Sequence, residues 1–142
     1  MQISDEGKRL IFSFEGKLRK ISDGRYIAYR CPADVWTIFA GCTSGVTEGM
    51  IVTEEQGEEL FQKEIAKHEA TVARLVTVDI NQNEFDAMVS LSFNIGAAGF
   101  ERSSVLRRLN NGNRAGAAKA FEMWTKANVK GRKVDLPGLV SR

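Results

Sequence analysis

The 142-residue sequence is poor in three residue types, with two cysteines, one histidine and two prolines. Cys31 and Cys42 are too few for the disulfide framework of a small secreted domain, and neither lies close in sequence to the histidine. This spacing gives little support to a zinc site or a Cys/His nucleophile. We therefore expect two reduced thiols, no metal site and no cofactor. His68 is expected to have a structural or surface role, because no second metal ligand lies at helical spacing.

The sequence also lacks any run of about 18 apolar residues and any excess of charge of one sign. Its 20 basic and 18 acidic residues are interleaved and give a net charge of +2, so no basic stripe marks a nucleic-acid binder. The N-terminal residues show no positive segment followed by an apolar stretch. We therefore expect a monomer without a signal peptide of its own, with no nucleic-acid partner and no stable membrane association.

The composition is that of an ordinary globular protein, with 43% hydrophobic and 27% charged residues. A chain of this length can bury a substantial core, and one domain spanning residues 1–142 is the default expectation. Apolar residues recur at helical spacing after Ser4, and Glu15-Gly16 is a typical helix end. Other helices are predicted after the capping box Thr53-Glu54-Glu55-Gln56, after Asn81, over 103–109 and from Arg114 through Trp124.

Residues 23–47 have a different pattern, in which β-branched and aromatic residues are interrupted by turn formers. This pattern predicts a small antiparallel sheet with turns at Asp23-Gly24 and Pro32-Ala33-Asp34. The order of helix, sheet, long helix and further helices indicates an α+β fold. We expect a small β-sheet lobe and a mostly helical lobe joined by the long helix, with the active-site cleft between them.

Several motifs occur in one consistent order along nearly the whole chain. They are Phe14-Glu15-Gly16, residues 28–38, 45–53 and 81–90, Phe93-Asn94-Ile95-Gly96, Ser103-Ser104-Val105-Leu106 and Leu136-Pro137-Gly138-Leu139. In this order they resemble the phage-type lysozymes, the endolysins of glycoside hydrolase family 24. The resemblance implies a lysozyme-like fold and hydrolysis of the β-1,4 bond between N-acetylmuramic acid and N-acetylglucosamine in the glycan strands of peptidoglycan. It also implies a protein made in the cytoplasm that acts on the cell wall in the periplasm after release.

The resemblance places the family's catalytic glutamate on Glu15. A general acid must remain protonated near neutral pH, which requires a raised pKa. A carboxyl group at the C-terminus of a helix faces the negative end of the helix dipole, and partial burial adds desolvation. Both effects raise the pKa, so Glu15 suits the role of the acid that protonates the departing sugar oxygen.

The resemblance places the family's threonine on Thr37, whose hydroxyl would hold the attacking water. Cys31 has the position of the third catalytic residue, because its spacing to Thr37 is that of the family. More residues separate Glu15 from Cys31 than is usual, which indicates an insertion around residues 21–27. Two alternatives therefore remain for the third residue, Asp23 and then Asp34, and we rank Cys31 first.

The resemblance further implies substrate contacts by Thr43, Phe93, Asn94 and Ser103. An amide and hydroxyls suit the N-acetyl and hydroxyl groups of a sugar, and an apolar face suits its ring. One departure is Cys42, which stands where the family usually has histidine. Together with the insertion, it favours an alternative function: a weak or inactive relative that binds peptidoglycan or a protein partner.

Overall fold

In the computed structural model, the structure describes residues 1–15, 20–21, 23–31 and 34–128, without the side chains of residues 12–15 and 123–128. Its elements are α1 (Asp5–Glu15), β1 (Tyr26–Ile27), β2 (Tyr29–Arg30), β3 (Trp36–Thr37), β4 (Ile51–Val52), α2 (Glu54–Leu75), α3 (Gln82–Ile95), α4 (Ala97–Glu101), α5 (Ser104–Asn110) and α6 (Arg114–Asn128). This composition of short antiparallel strands and longer helices confirms the predicted α+β class. The predicted turn residues Pro32 and Ala33 and the motif at 136–139 lie outside the described residues.

Contacts divide the chain into two compact units. The helical unit comprises Met1–Phe14 and His68–Arg142, and the β unit comprises Glu15–Lys67. The division falls within α2. The single domain expected from the chain length stays a prediction.

The first helix begins at the predicted serine cap. Oγ of Ser4 accepts a hydrogen bond from the Gly7 N–H at 3.0 Å, as an N-cap serine does. The buried carboxylate of Asp86 on α3 accepts hydrogen bonds from the Ser4 N–H at 3.0 Å and from the Ser4 hydroxyl. The start of α1 is thus fixed within the helical unit, and the helix ends at Glu15 as predicted.

The strands of the β unit form two antiparallel pairs within the described residues, where the sequence predicted one sheet over 23–47. β2 pairs with β3, and Tyr29 lies opposite Thr37. β1 pairs instead with β4, and Tyr26 lies opposite Val52. The prediction missed β4 because a two-residue strand has no readable alternation and its partner is distant in sequence.

The predicted turn at Asp23-Gly24 is present. The Gly24 N–H donates to the carbonyl of Ile21 at 2.9 Å, and the Ile21 N–H donates to the carbonyl of Arg25 at 2.8 Å. Gly24 has a φ of +87°, in the left-handed region where glycine carries no steric penalty.

The long helix α2 begins at the predicted capping box. The Gln56 N–H donates to Oγ1 of Thr53 at 3.1 Å, and Oε1 of Gln56 accepts from the Thr53 N–H at 2.9 Å. Asn81 and Glu84 form the equivalent box at the start of α3. Among the described residues, no helix is long and apolar enough to cross a bilayer.

Helices α3 to α6 supply most of the core of the helical unit. Its largest fully buried side chains are Ile11, Val72, Met88, Val89, Leu91, Phe100, Leu109 and Phe121. The sequence did not predict α4, because a five-residue helix containing glycine is too short to show a period. The helix predicted over 103–109 is present as α5, and Ser103 is its N-cap.

Candidate active site

Thr37 and Cys31 are joined through one carbonyl group in the β2–β3 hairpin. The Thr37 hydroxyl donates to the carbonyl oxygen of Val35 at 2.9 Å. The same oxygen accepts the backbone N–H of Cys31 at 3.0 Å. Thr37 is only 3% exposed and lies on β3, whereas Cys31 is half-buried at the end of β2. The structure therefore brings these two candidate residues to one end of one hairpin.

The turn that follows Cys31 is held by side chains as well as by the backbone. Asp34 donates its N–H to the Cys31 carbonyl at 2.7 Å and has a left-handed φ of +65°. Its carboxylate forms an ion pair with Arg30 at 2.9 Å, and the Arg30 guanidinium lies over the ring of Trp36, 5.5 Å from the centroid. Asp34, the third-ranked candidate, thus has an exposed carboxylate engaged by arginine.

Asp23, the second-ranked candidate, lies in the turn before β1 and pairs with Arg25. Its Oδ1 accepts the Arg25 N–H at 3.0 Å, and its Oδ2 accepts Nε of Arg25 at 2.7 Å. The side-chain hydrogen bond from Arg25 is the largest of the effects that lower the pKa of Asp23, and the backbone hydrogen bond from Arg25 adds to it. Asp23 is therefore an exposed, ionised carboxylate at neutral pH.

Glu15 is the last residue of α1. Its position at the C-terminal end of a helix agrees with the sequence prediction, while its side chain lies outside the described part of the chain. The helix that carries it begins at Asp5, and the Ser4–Asp86 network fixes that first turn.

Thr43 is exposed and follows a short backbone bridge. Ile38, which comes directly after Thr37, exchanges hydrogen bonds of 2.9 and 3.0 Å with Cys42. Cys42 is buried, and the structure holds it and Cys31 as thiols rather than as a disulfide. Cys42, where the resemblance leads one to expect histidine, therefore packs in the core of the β unit.

The remaining candidate contacts belong to the helical unit. Phe93 is buried and its ring lies 5.3 Å from that of His68, measured between centroids, while Asn94 is half-buried near the end of α3. The Ser103 hydroxyl accepts the Leu106 N–H at 3.1 Å and so caps α5. A substrate role for these residues stays a prediction.

Two buried polar residues of α2 were not predicted as parts of a site. Glu64 accepts the Ser44 N–H at 3.0 Å, and Nδ1 of His68 lies 2.7 Å from Oγ of Ser92. His68 is thus a buried structural residue. Ser44 is the neighbour of Thr43 in the chain, and Ser92 is the neighbour of Phe93. Each of these two contacts therefore involves a serine adjacent to a candidate sugar-binding residue. The sequence signal that could have indicated the role of Glu64 was its position as a charged residue on the apolar face of a long amphipathic helix. Within the described residues, no group of three or more His, Cys, Asp or Glu side chains is placed to hold a metal ion.

Comparison with known proteins gives matches over most of the chain. A family model described as phage lysozyme matches residues 20–142. The endolysin of Acyrthosiphon pisum secondary endosymbiont phage 1 is 39% identical over 142 residues, which cover 100% of this chain and 92% of that protein. The endolysin of Salmonella phage P22 is 40% identical over 133 residues, with coverages of 89% and 86%. Among solved structures, the muramidase domain of SpmX from Asticaccaulis excentricus is 37% identical, with a TM-score of 0.73 and coverages of 99% and 90%.

Proposed function

Since the chain belongs to the phage lysozyme family, we propose that it is an endolysin-type muramidase. It hydrolyses the β-1,4 bond between N-acetylmuramic acid and N-acetylglucosamine in peptidoglycan. Glu15 is the general acid, and Thr37 and Cys31 position the attacking water. The protein acts as a single-domain monomer on the cell wall, after release from the cytoplasm, and needs no cofactor.

The carbonyl of Val35 is the observation that supports this assignment most directly. A threonine hydroxyl has one hydrogen to donate and two lone pairs to accept with. Because the hydroxyl of Thr37 donates to Val35, its oxygen remains available to accept a hydrogen bond from water. The same carbonyl fixes the backbone of Cys31, so one acceptor orients both members of the pair.

The proposed reaction follows from these roles. Glu15 transfers its proton to the glycosidic oxygen as the bond between that oxygen and the anomeric carbon breaks. Water held by Thr37 and Cys31 bonds to the anomeric carbon from the opposite face and loses a proton to solvent. Glu15 regains a proton from solvent, and both products end with a hydroxyl group. No second carboxylate takes part, and water positioning therefore contributes more to the rate.

The surroundings of Asp23 support Cys31 over Asp23 as the third residue. Both oxygens of the Asp23 carboxylate are engaged with Arg25. In addition, Asp23 lies in the turn before β1, whereas Thr37 lies on β3. Cys31 shares a hydrogen-bond acceptor with Thr37, and Asp23 has no such link in the described structure.

Turbidity clearing of outer-membrane-permeabilised Gram-negative cells tests the proposal. We expect clearing by the native protein and a loss of about 10²–10⁴-fold in rate for Glu15→Gln, the range that general acid catalysis contributes. The matched control is Glu6→Gln, which changes an exposed glutamate in the first turn of the same helix. Cys31→Ala and Asp23→Asn then separate the two candidates for the third residue.

A second candidate function is peptidoglycan binding without hydrolysis. It is favoured by the insertion between Glu15 and Cys31 and by Cys42 in place of histidine. A native protein that binds purified peptidoglycan but clears no cells would replace the first proposal with this one.

A further inference from the structure

The loop after Cys42 is held on both sides of Thr43. On one side, Cys42 and Ile38 exchange two backbone hydrogen bonds. On the other side, the Ser44 N–H donates to Oε1 of Glu64 at 3.0 Å. Thr43 is therefore an exposed residue between two anchored neighbours, in a loop where exposed residues are usually the most mobile.

Glu64 differs from the other glutamates in the first half of α2. It is 6% exposed and is followed by the fully buried Ile65, whereas Glu58 and Glu59 are exposed. A buried carboxylate is tolerated when it is hydrogen-bonded and paired. Oε1 of Glu64 accepts a hydrogen bond from the Ser44 N–H and lies 3.8 Å from Nζ of Lys67, so this carboxylate is both hydrogen-bonded and paired.

Lys67 completes the attachment of the loop. Its Nζ donates to the hydroxyl of Ser44, so the side chain of Ser44 is held as well as its backbone. The loop then turns back, because the Val46 N–H donates to the Thr43 carbonyl at 3.3 Å and Gly45 has a φ of +71°. The position of Thr43 is therefore fixed by α2 and not by the loop alone.

We propose that Glu64 is a positioning residue for glycan binding, which acts by holding Ser44 and thereby the exposed Thr43. This inference rests on the proposed function, because that function makes a glycan the ligand of Thr43. Glu64 itself does not touch the sugar. A loop that is already ordered loses less conformational entropy when the sugar binds. The same anchoring places Thr43 relative to Thr37, since Ile38 of the bridge directly follows Thr37.

Two substitutions separate the acceptor from the charge. Glu64→Gln keeps Oε1 as an acceptor for the Ser44 N–H and removes the charge. Glu64→Ala removes the acceptor of the Ser44 N–H and so loosens the loop. Glu59→Ala is the matched control, because it removes an exposed glutamate of the same helix.

The experiment measures co-sedimentation with purified peptidoglycan in the Glu15→Gln background, so that binding is read without hydrolysis. We expect Glu64→Ala to weaken binding about 10-fold, which is a loss of about 1.4 kcal/mol. The affinity of Glu64→Gln for peptidoglycan should stay within about 3-fold of that of its parent, because the amide oxygen still accepts the hydrogen bond from the Ser44 N–H. Thr43→Val should also weaken binding. The double variant Glu64→Ala/Thr43→Val should bind as well as the single variant that binds less tightly, because the effects of coupled residues are not additive.

Circular dichroism and thermal unfolding establish that each variant is folded at the temperature of the assay. If Glu64→Ala does not fold, Lys67→Met provides the test, because it removes the contact to the Ser44 hydroxyl and the ion pair with Glu64 but keeps the hydrogen bond from the Ser44 N–H to Glu64. It should weaken binding about 3-fold, since a single hydrogen bond contributes on that scale. Unchanged binding in the folded variants, or additive losses for Glu64 and Thr43, would overturn the inference.

The binding and clearing assays separate this inference from the proposed function. Weaker binding by Glu64→Ala, together with a native protein that clears no cells, would support the inference and reject the muramidase. Clearing by the native protein with unchanged binding by Glu64→Ala would reject the inference alone. A Glu15→Gln protein that does not bind peptidoglycan at all would also overturn the inference.

Discussion

The aromatic ring of Phe39 occupies the space that a side chain on Gly57 would need. A Cβ atom placed on Gly57 would lie 2.4 Å from Cδ1 of Phe39, which is closer than carbon atoms approach without a bond. Phe39 is buried and has a left-handed φ of +57°, a region that non-glycine residues seldom adopt. Its ring also meets that of Tyr26 edge to face, with 4.9 Å between centroids. Packing of this ring against α2 therefore holds the chain in the turn between Ile38 and Cys42.

Gly57→Ala should destabilise the protein even though it improves the helix. Alanine is favoured over glycine in a helix by about 1 kcal/mol, but forcing a methyl group into a packed core costs about 1–3 kcal/mol. We expect a net loss of up to about 2 kcal/mol in the free energy of unfolding, measured by urea denaturation. Gly99→Ala in α4 is the control, because its nearest neighbour would be Cγ1 of Ile95 at 3.4 Å. Equal stability of the two variants would show that Phe39 does not fill this space.

Asp86→Ala should destabilise the start of α1. The buried carboxylate accepts hydrogen bonds from the Ser4 N–H, the Ser4 hydroxyl and Nε2 of Gln82. The donors are only part-buried, and each of these three hydrogen bonds contributes about 0.5–1.5 kcal/mol, so we expect a loss of about 1–3 kcal/mol. Asp86→Asn should cost less because one acceptor oxygen remains. Chemical denaturation measures both, with the exposed Glu101→Ala as control, and a cost for Asp86→Ala no larger than that of the control would contradict the assignment.

Local signals predicted the helices that begin with a side-chain cap. The caps at Ser4, Thr53 and Asn81 are present as expected, because capping involves residues only three apart. Ser103 also caps α5, although the sequence analysis placed it within that helix. The motifs, found in one order along the chain, also predicted the family and the lysozyme-like fold, and both are confirmed.

The contacts that the sequence did not reveal are those between residues distant in the chain. β4 forms by pairing with β1, and the burial of Glu64 depends on Ser44, 20 residues earlier. His68 was expected to be structural or on the surface, and its contact with Ser92 makes it a buried structural residue. A periodic pattern in the sequence does not reveal Ser44 as the partner of Glu64 or Ser92 as the partner of His68. The catalytic and substrate-binding roles rest on the resemblance and stay predictions.

The carboxyl group of Asp23 should titrate below the ordinary aspartate value of about 3.9, because Arg25 donates two hydrogen bonds to it. A group with a lowered pKa in the folded state contributes stability above its unfolded pKa and loses it as pH falls through the folded value. The Asp23–Arg25 hydrogen bonds should therefore stabilise the turn fully at neutral pH, and this stabilisation should be lost only in acid.

Carbon-detected NMR of the side-chain carboxyl groups measures this midpoint. Arg25→Gln should return the midpoint towards the ordinary value, and high salt should act in the same direction because exposed charges are screened. A midpoint of Asp23 that does not respond to Arg25→Gln would show that the pair does not lower the pKa. Since Asp23 is ionised throughout the neutral range, Asp23→Asn should leave the pH profile of cell clearing unchanged above pH of about 5.

Thr37→Val should reduce cell clearing far more than it reduces stability. The substitution keeps the shape of the side chain and removes the hydroxyl, while the Val35 carbonyl keeps the Cys31 N–H as a donor. The fold should therefore lose no more than about 1.5 kcal/mol, the contribution of one hydrogen bond. The attacking water loses one of the groups that position it, and misplacement of a reacting group can cost about 10²-fold in rate.

Two control variants test the role of the hydroxyl. Thr37→Ser keeps the hydroxyl and should retain most of the rate. Thr47→Val changes an exposed threonine of the β unit and should retain all of the rate. A Thr37→Val protein that clears cells as fast as Thr37→Ser would remove the hydroxyl from the mechanism and leave Cys31 alone to position the water.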